Sequence, residues 1–146
     1  MENTHFKALE KMYLAANINR ELFPSTHIKI GDGLAEISLQ LSTNYFHALG
    51  ATHGSVYFKM LDDAAFFAAM SRVTDYFILT THFELDLLRP VESGVITAKG
   101  KVIDAESRQL MAMATLYNEF DKCIGKGLGT FVRSKKLLTN IGSYSN

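Results

Sequence analysis

Residues 54–71, GSVYFKMLDDAAFFAAMS, restrict the fold more than any other part of the chain. Their spacing predicts a helix, and Val56, Tyr57, Phe58, Met60, Leu61, Ala64, Ala65, Phe67 and Ala68 nearly encircle it. A helix that is apolar on most sides must be covered on most sides. The polar exceptions, Ser55, Lys59 and Asp62, follow at i, i+4 and i+7 and so share one stripe, with Asp63 beside it. The remainder of a 146-residue chain has to wrap this helix.

The flanking sequence supplies the wrapping. Phe6, Leu9, Met12, Tyr13 and Ala16 recur at helical spacing behind a capping Asn3 or Thr4, which predicts an amphipathic N-terminal helix. Beyond Pro24 the period changes. Ala35, Ile37, Leu39 and Leu41 alternate with polar residues, and Gly31-Asp32-Gly33 predicts a turn to a hairpin partner over 27–30. After a loop over 42–53 and the long helix, residues 76–88, 95–103, 110–120 and 124–132 read as strands. The order predicts an α+β fold, a curved antiparallel sheet around one long central helix with an additional N-terminal helix. A single domain over 1–146 is expected, with its core at about 25–133 and a loose tail over 134–146.

Composition narrows the function. Lysine plus arginine (15) equals aspartate plus glutamate (15), so no overall field steers the chain to nucleic acid or to an anionic membrane. Neither is expected as a partner. The one cysteine, Cys123, cannot form a disulfide within the chain, and no partner histidine stands near it in sequence. Residues 1–20 mix charge through their apolar positions, unlike a secretory leader, and no apolar run is long enough to span a bilayer. These features point to a soluble cytoplasmic protein.

The segment His47–Ala69, HALGATHGSVYFKMLDDAAFFAA, resembles the signature of the phenylacetyl-CoA (PaaI-type) branch of the hotdog-fold acyl-CoA thioesterases. Gly50, His53, Gly54 and Asp62 stand at that signature's glycine, His-Gly and acidic positions, and Leu88-Arg89-Pro90 with Glu92 and Gly94 is similar to the strand end and turn that follow. The resemblance extends over roughly residues 34–132. It implies a hotdog fold and hydrolysis of an acyl-CoA thioester. It also implies a homo-oligomer, at least a dimer and by expectation a tetramer, with sites shared between subunits. No cofactor is expected, coenzyme A being part of the substrate, and no metal. Two departures stand out: His47 occupies the family's amide position, with Asn44 as the alternative, and Ser55 replaces the second glycine. A hydroxyl on the next strand holds the attacking water in such enzymes, and by spacing that is Thr80, or Thr81 if a bulge intervenes.

Physical chemistry gives these residues work. Gly54 opens a helix, where backbone N–H groups lack partners and the macrodipole is positive, so its N–H suits a developing oxyanion. Asp62 can activate water as general base or attack the carbonyl itself. The two lie eight residues apart, about 12 Å along the axis. One carbonyl cannot meet both within a subunit, whereas two such helices antiparallel about a twofold axis bring Gly54 of one to Asp62 of the other. The competing reading of the carboxylates is structural, Asp62 or Asp63 pairing with Lys59.

Other residues fall into lesser roles. His53 shapes the loop or orients substrate. Asn44, Gly50, Ser55, Phe58 and Arg89 are candidate substrate contacts, Arg89 meeting either a CoA phosphate or an interface carboxylate. Phe58, Phe66, Phe67 and Met70 can line an acyl pocket or simply fill the core. His82, Glu84 and Asp86 read as a polar outer strand face, the Gly-Lys-Gly-Leu-Gly run at 125–129 as an open strand, and Arg133, Lys135 and Lys136 as a solvated end. A non-catalytic acyl-CoA binder and a hotdog dehydratase or hydratase using His53 with Asp62 are the alternative functions.

Overall fold

The computed structural model describes residues 3–145. Asn3 caps α1 (Thr4–Ala15), its side chain accepting from the His5 and Phe6 N–H groups. Ala16 adopts an extended backbone and breaks the N-terminal helical segment, which resumes as the short α2 (Asn17–Leu22). Strands β1 (Thr26–Gly31) and β2 (Leu34–Gln40) form the expected hairpin. A short 3-10 turn (Thr43–Tyr45) leads into the loop before α3 (Gly54–Met70). Four strands follow: β3 (Tyr76–Leu87), β4 (Val95–Asp104), β5 (Leu110–Tyr117) and β6 (Cys123–Leu137). No helix among the described residues is long and apolar enough to cross a membrane.

All six strands join one antiparallel sheet in the order β1-β2-β4-β5-β6-β3. The chain therefore leaves the sheet after β2, runs through α3 and re-enters at the opposite edge as β3. This is the hotdog fold, with α3 as the filling. Side chains alternate as the pleat requires: Ala35, Ile37 and Leu39 of β2 and Ile96 and Ala98 of β4 turn inward onto α3 and are buried. Eleven residues of α3 are buried, from Val56 to Met70, which accounts for a helix apolar nearly all round.

The helix sits close because its sheet-facing residues are small. Ala64, Ala65, Ala68 and Ala69 are fully buried, and opposite them β4 has Gly100. A β-carbon there would collide with the Ala64 carbonyl, so the glycine is required by proximity rather than by its dihedrals.

Residues beyond 133 differ from the expected loose tail. β6 continues to Leu137, Leu138 is fully buried in a 3-10 turn (Leu138–Asn140), and a short α4 (Gly142–Ser145) packs near α1. His5 joins the two ends of the chain: one ring nitrogen bonds the Tyr144 hydroxyl and the other the Met70 carbonyl, both at 2.8 Å. The expected strand 110–120 ends at Tyr117, because Asn118 uses its side chain to accept from the Phe120 and Lys122 N–H groups and forms a turn.

Gly100→Ala should destabilise the protein by about 1–3 kcal/mol, the range for overpacking. Gly31→Ala, where a β-carbon meets nothing within 4 Å, should change stability by less than about 0.5 kcal/mol. Chemical denaturation of both variants checks this, and equal losses would refute the close approach of β4 to α3.

Candidate active site

Four residues of α3 spaced by one turn run along the edge strand β3. A β-carbon on Gly54 would touch the Leu87 side chain. The Phe58 and Phe83 rings lie 5.5 Å apart, the Thr80 hydroxyl donates to Asp62 Oδ1 at 2.9 Å, and the Phe66 and Phe77 rings are 5.4 Å apart. The two elements thus run in opposite directions, and residues 54, 58, 62 and 66 form a row facing residues 87, 83, 80 and 77. The expected stripe of Ser55, Lys59 and Asp62 does not act as one. Lys59 turns toward α1 and α2, while Asp62 turns toward β3.

A bulge at Thr81 sets which hydroxyl meets Asp62. Thr80 pairs with Phe131 and His82 with Thr130, leaving Thr81 extra, its hydroxyl spent on the Thr130 carbonyl. A second irregularity falls at Phe77, whose ring also reaches α3; between the two, the even residues Ile78 and Thr80 face the helix. After Thr81, Phe83 and Leu85 do, and His82, Glu84 and Asp86 are exposed.

Asp62 lies in the wall of a cavity of about 460 Å³ between α2, α3 and the start of β3, together with Ile18, Phe58, Phe66, Phe67 and Leu79. Burial in this apolar setting pushes its carboxyl up to about 6, against the opposing hydrogen bond from Thr80; Asp63 adds to the rise and Lys59 reduces it. Met70, open between acyl pocket and core in the sequence, is fully buried in the core and does not border the cavity.

Asp63, by contrast, is ion-paired. Its Oδ2 accepts from Lys59 Nζ at 2.6 Å and from the Tyr13 hydroxyl at 2.7 Å. Sequence reasoning identified the Lys59–Asp63 spacing but not Tyr13 or Asn19, whose roles depend on how α1 and α2 dock. No local pattern encodes that docking.

At the other end of the row, His53 caps α3 by accepting the Ser55 N–H on Nδ1 at 3.0 Å. Nδ1 is thereby the unprotonated nitrogen, and it also accepts from the Ser55 hydroxyl at 2.8 Å. Among the described residues nothing in the protein takes the Gly54 N–H. Gly54 borders a second cavity of about 240 Å³ with His47, Thr52, Leu87 and Arg89, whose side chain is exposed. His47 therefore shares Gly54's cavity, whereas Asn44 lies in a separate groove with His53 and Ser55. Gly50 closes the turn that follows His47 with φ +84°, a left-handed conformation that favours glycine; its N–H donates to the His47 carbonyl.

The comparisons with known proteins agree with this architecture. Residues 49–124 match the family model of the thioesterase superfamily. That span includes α3, β3, β4, β5 and the whole Gly54–Asp62 row. The chain belongs to the thioesterase superfamily. Its fold is that of the E. coli PaaI protein from the phenylacetic acid degradation operon, at 18% identity and a TM-score of 0.80 over 92% of this chain and 99% of that one. It is also that of the Haemophilus influenzae thioesterase HI1161 (16% identity, TM-score 0.76, 90% and 93% covered). The conserved protein PA5202 of Pseudomonas aeruginosa is similar too (23%, 0.75, 83% and 96%). No curated protein matches the sequence.

The raised Asp62 carboxyl has a consequence for stability. Between about pH 4 and 6 the folded chain keeps a proton that the unfolded chain has lost, so stability falls as pH rises through that window. Above it the charged carboxylate carries its full penalty. Asp62→Asn should therefore raise stability near pH 8, by at most about 2–3 kcal/mol, and change little near pH 4. Thermal midpoints at the two pH values test this. A variant less stable than the parent near pH 8 would contradict the assigned environment.

Proposed function

We propose that the protein hydrolyses an acyl-CoA thioester to the free acid and coenzyme A, with Asp62 as general base. The observation that carries this reading is a partly buried carboxylate, held by Thr80 and raised to about 6, in the wall of an apolar cavity. A base of that strength is largely ionised at neutral pH yet still takes a proton readily. Thr80 engages Oδ1 and leaves Oδ2 for water. Water attacks the carbonyl carbon as Asp62 accepts its proton. The tetrahedral oxyanion is met by the Gly54 N–H, with His47 beside it as a second donor. Collapse breaks the C–S bond, and the departing thiolate takes up a proton.

The site so described needs two subunits. Gly54 and Asp62 are two turns apart on one helix, yet both lie on the row along β3, and β3 pairs only with β6 among the described residues. A 12-residue edge strand left open is a pairing site, and Phe58, Leu79, Leu87 and Leu88 are half exposed along it. A twofold axis that pairs β3 with its own copy sets the two α3 helices antiparallel, which brings Gly54 of one toward Asp62 of the other. Phe58, Phe66 and Phe67 then suit an aromatic or medium-length acyl group, and the exposed Arg89 a CoA phosphate. A hydratase reading is weakened by His53, whose Nδ1 is occupied by the helix cap.

A panel of acetyl-, hexanoyl-, decanoyl- and phenylacetyl-CoA, with free thiol as readout, tests the activity. Asp62→Asn should lower turnover by about two to four orders of magnitude, and Asp63→Asn should stay within about tenfold. Gly54→Pro deletes the proposed oxyanion donor while suiting the first helical position, since His53 before it is already extended (φ −64°, ψ 144°). Mixed Asp62→Asn and Gly54→Pro subunits should recover part of the activity that each lacks alone. A folded, nearly fully active Asp62→Asn protein would remove the assignment, and a fully active monomer would remove the shared site.

A further inference from the structure

The two adjacent aspartates pose a physical problem. Both Asp62 and Asp63 border the same cavity, and two carboxylates in a partly dry site resist ionising together. Asp63 is drawn aside by a dense cluster. The Lys59 side chain, 14% exposed, donates from Nζ to Asp63 Oδ2 and Asn19 Oδ1, both at 2.6 Å, and to the Tyr13 hydroxyl at 3.2 Å. The ammonium also lies 4.8 Å from the Phe23 ring centroid and 5.1 Å from that of Tyr13. Tyr13 donates to Asp63, and Asn19 closes the cluster by donating from Nδ2 to the Tyr13 carbonyl at 2.7 Å. One lysine thus gathers residues of α1, α2 and α3 around the carboxylate next to the proposed base.

We propose that Lys59 is a positioning residue: it holds the Asp63 carboxylate toward the N-terminal helices and compensates its charge, so that Asp62 alone presents a carboxylate without a direct counter-ion to substrate. This rests on the reading of Asp62 as the base. The groups that face Asp62 are few. From α3 they are Asp63 and Lys59; from α1 it is Tyr13, held protonated by burial and by Asp63; from β3 only the uncharged Thr80 reaches it. His82 and Glu84 of β3 lie beyond the bulge and point outward. With Lys59 removed, Asp63 becomes an uncompensated anion beside Asp62, and the pair titrates as a unit with its upper step raised. With both Lys59 and Asp63 neutral, Asp62 returns close to its original strength. The same cluster fastens α1 and α2 to the catalytic helix, so the N-terminal helices influence the base through charge as well as packing.

The test follows the side-chain carboxyl 13C shift of Asp62 with pH, alongside kcat/KM profiles on the CoA panel. Lys59→Met should move the Asp62 midpoint and the acidic limb of kcat/KM upward by about one pH unit. Asp63→Asn should move both downward, because Lys59 is then unopposed, and Lys59→Met/Asp63→Asn should bring them back to within a few tenths of the parent. A purely structural lysine would lower activity at every pH without moving the midpoint, and the double variant would not restore it. That result overturns the inference, as does an unmoved midpoint in Asp63→Asn. If Lys59→Met does not fold, Asp63→Asn and the double variant carry the same comparison. The carbon titration needs no turnover, so failure of the hydrolase reading, seen as a folded Asp62→Asn protein with undiminished activity, is distinguished from failure of the Lys59 inference.

Discussion

The structure depends on covering one helix. With apolar groups on nearly every side, α3 is stable only when surrounded. Six strands bend around it and leave one flank, which the sheet reaches only through its edge strand β3. α1 and α2 close part of that flank by stapling Lys59, Asp63 and Tyr13 together. The close packing on the sheet side, with the backbone of Ala64 and Ala65 against Gly100 of β4, keeps the helix central instead of letting it slide toward the open flank. The exposed remainder of the row from Gly54 to Phe66 is therefore a geometric residue of wrapping a helix with a finite sheet.

That residue is where chemistry is possible. A carboxylate inside the wrapped region would be too costly to ionise, and one on the outer sheet face would lie in water with ordinary acidity. Asp62 is between these limits, half covered and hydrogen-bonded by a single hydroxyl. Its environment opposes stability and favours proton transfer for the same reason, the partial loss of water around the charge.

Residues whose neighbours are set by local periodicity were legible in the sequence. The alternation of Ala35, Ile37 and Leu39, the encircled α3 and the spacing from Lys59 to Asp63 all follow from the periods of strand and helix, and they appear in the structure as expected. Thr80 was reached by counting along a strand, and it meets Asp62 because the bulge falls just after it, at Thr81. A bulge one residue earlier would have exchanged the two threonines, and nothing in TTHF marks its position. Lys59 was misplaced on the stripe of Asp62 because a helical projection gives angles but not which neighbour a long side chain will choose. The cluster of Tyr13, Asn19 and Phe23 was out of reach, since it depends on the break at Ala16 and the docking angle of two helices. The chain end was read as loose because termini commonly are, although Leu138 and the bond between His5 and Tyr144 attach it to the core.

The row along β3 also explains why adjacent aspartates can differ so much. Successive helix residues are rotated by about 100°, so Asp62 and Asp63 cannot face the same element. One meets a strand that provides a hydroxyl and no charge. The other meets the Lys59 ammonium of its own helix, around which two further helices place a phenol and an amide. Equal chemistry thus splits into a carboxylate without a direct ion pair and a compensated one, helical geometry turning each to different neighbours. The docked N-terminal helices reinforce the split, because Tyr13 of α1 donates to Asp63 and Asn19 of α2 accepts from Lys59. In this protein elements outside the segment matched by the family, α1 and α2, thus pack around the Lys59–Asp63 pair.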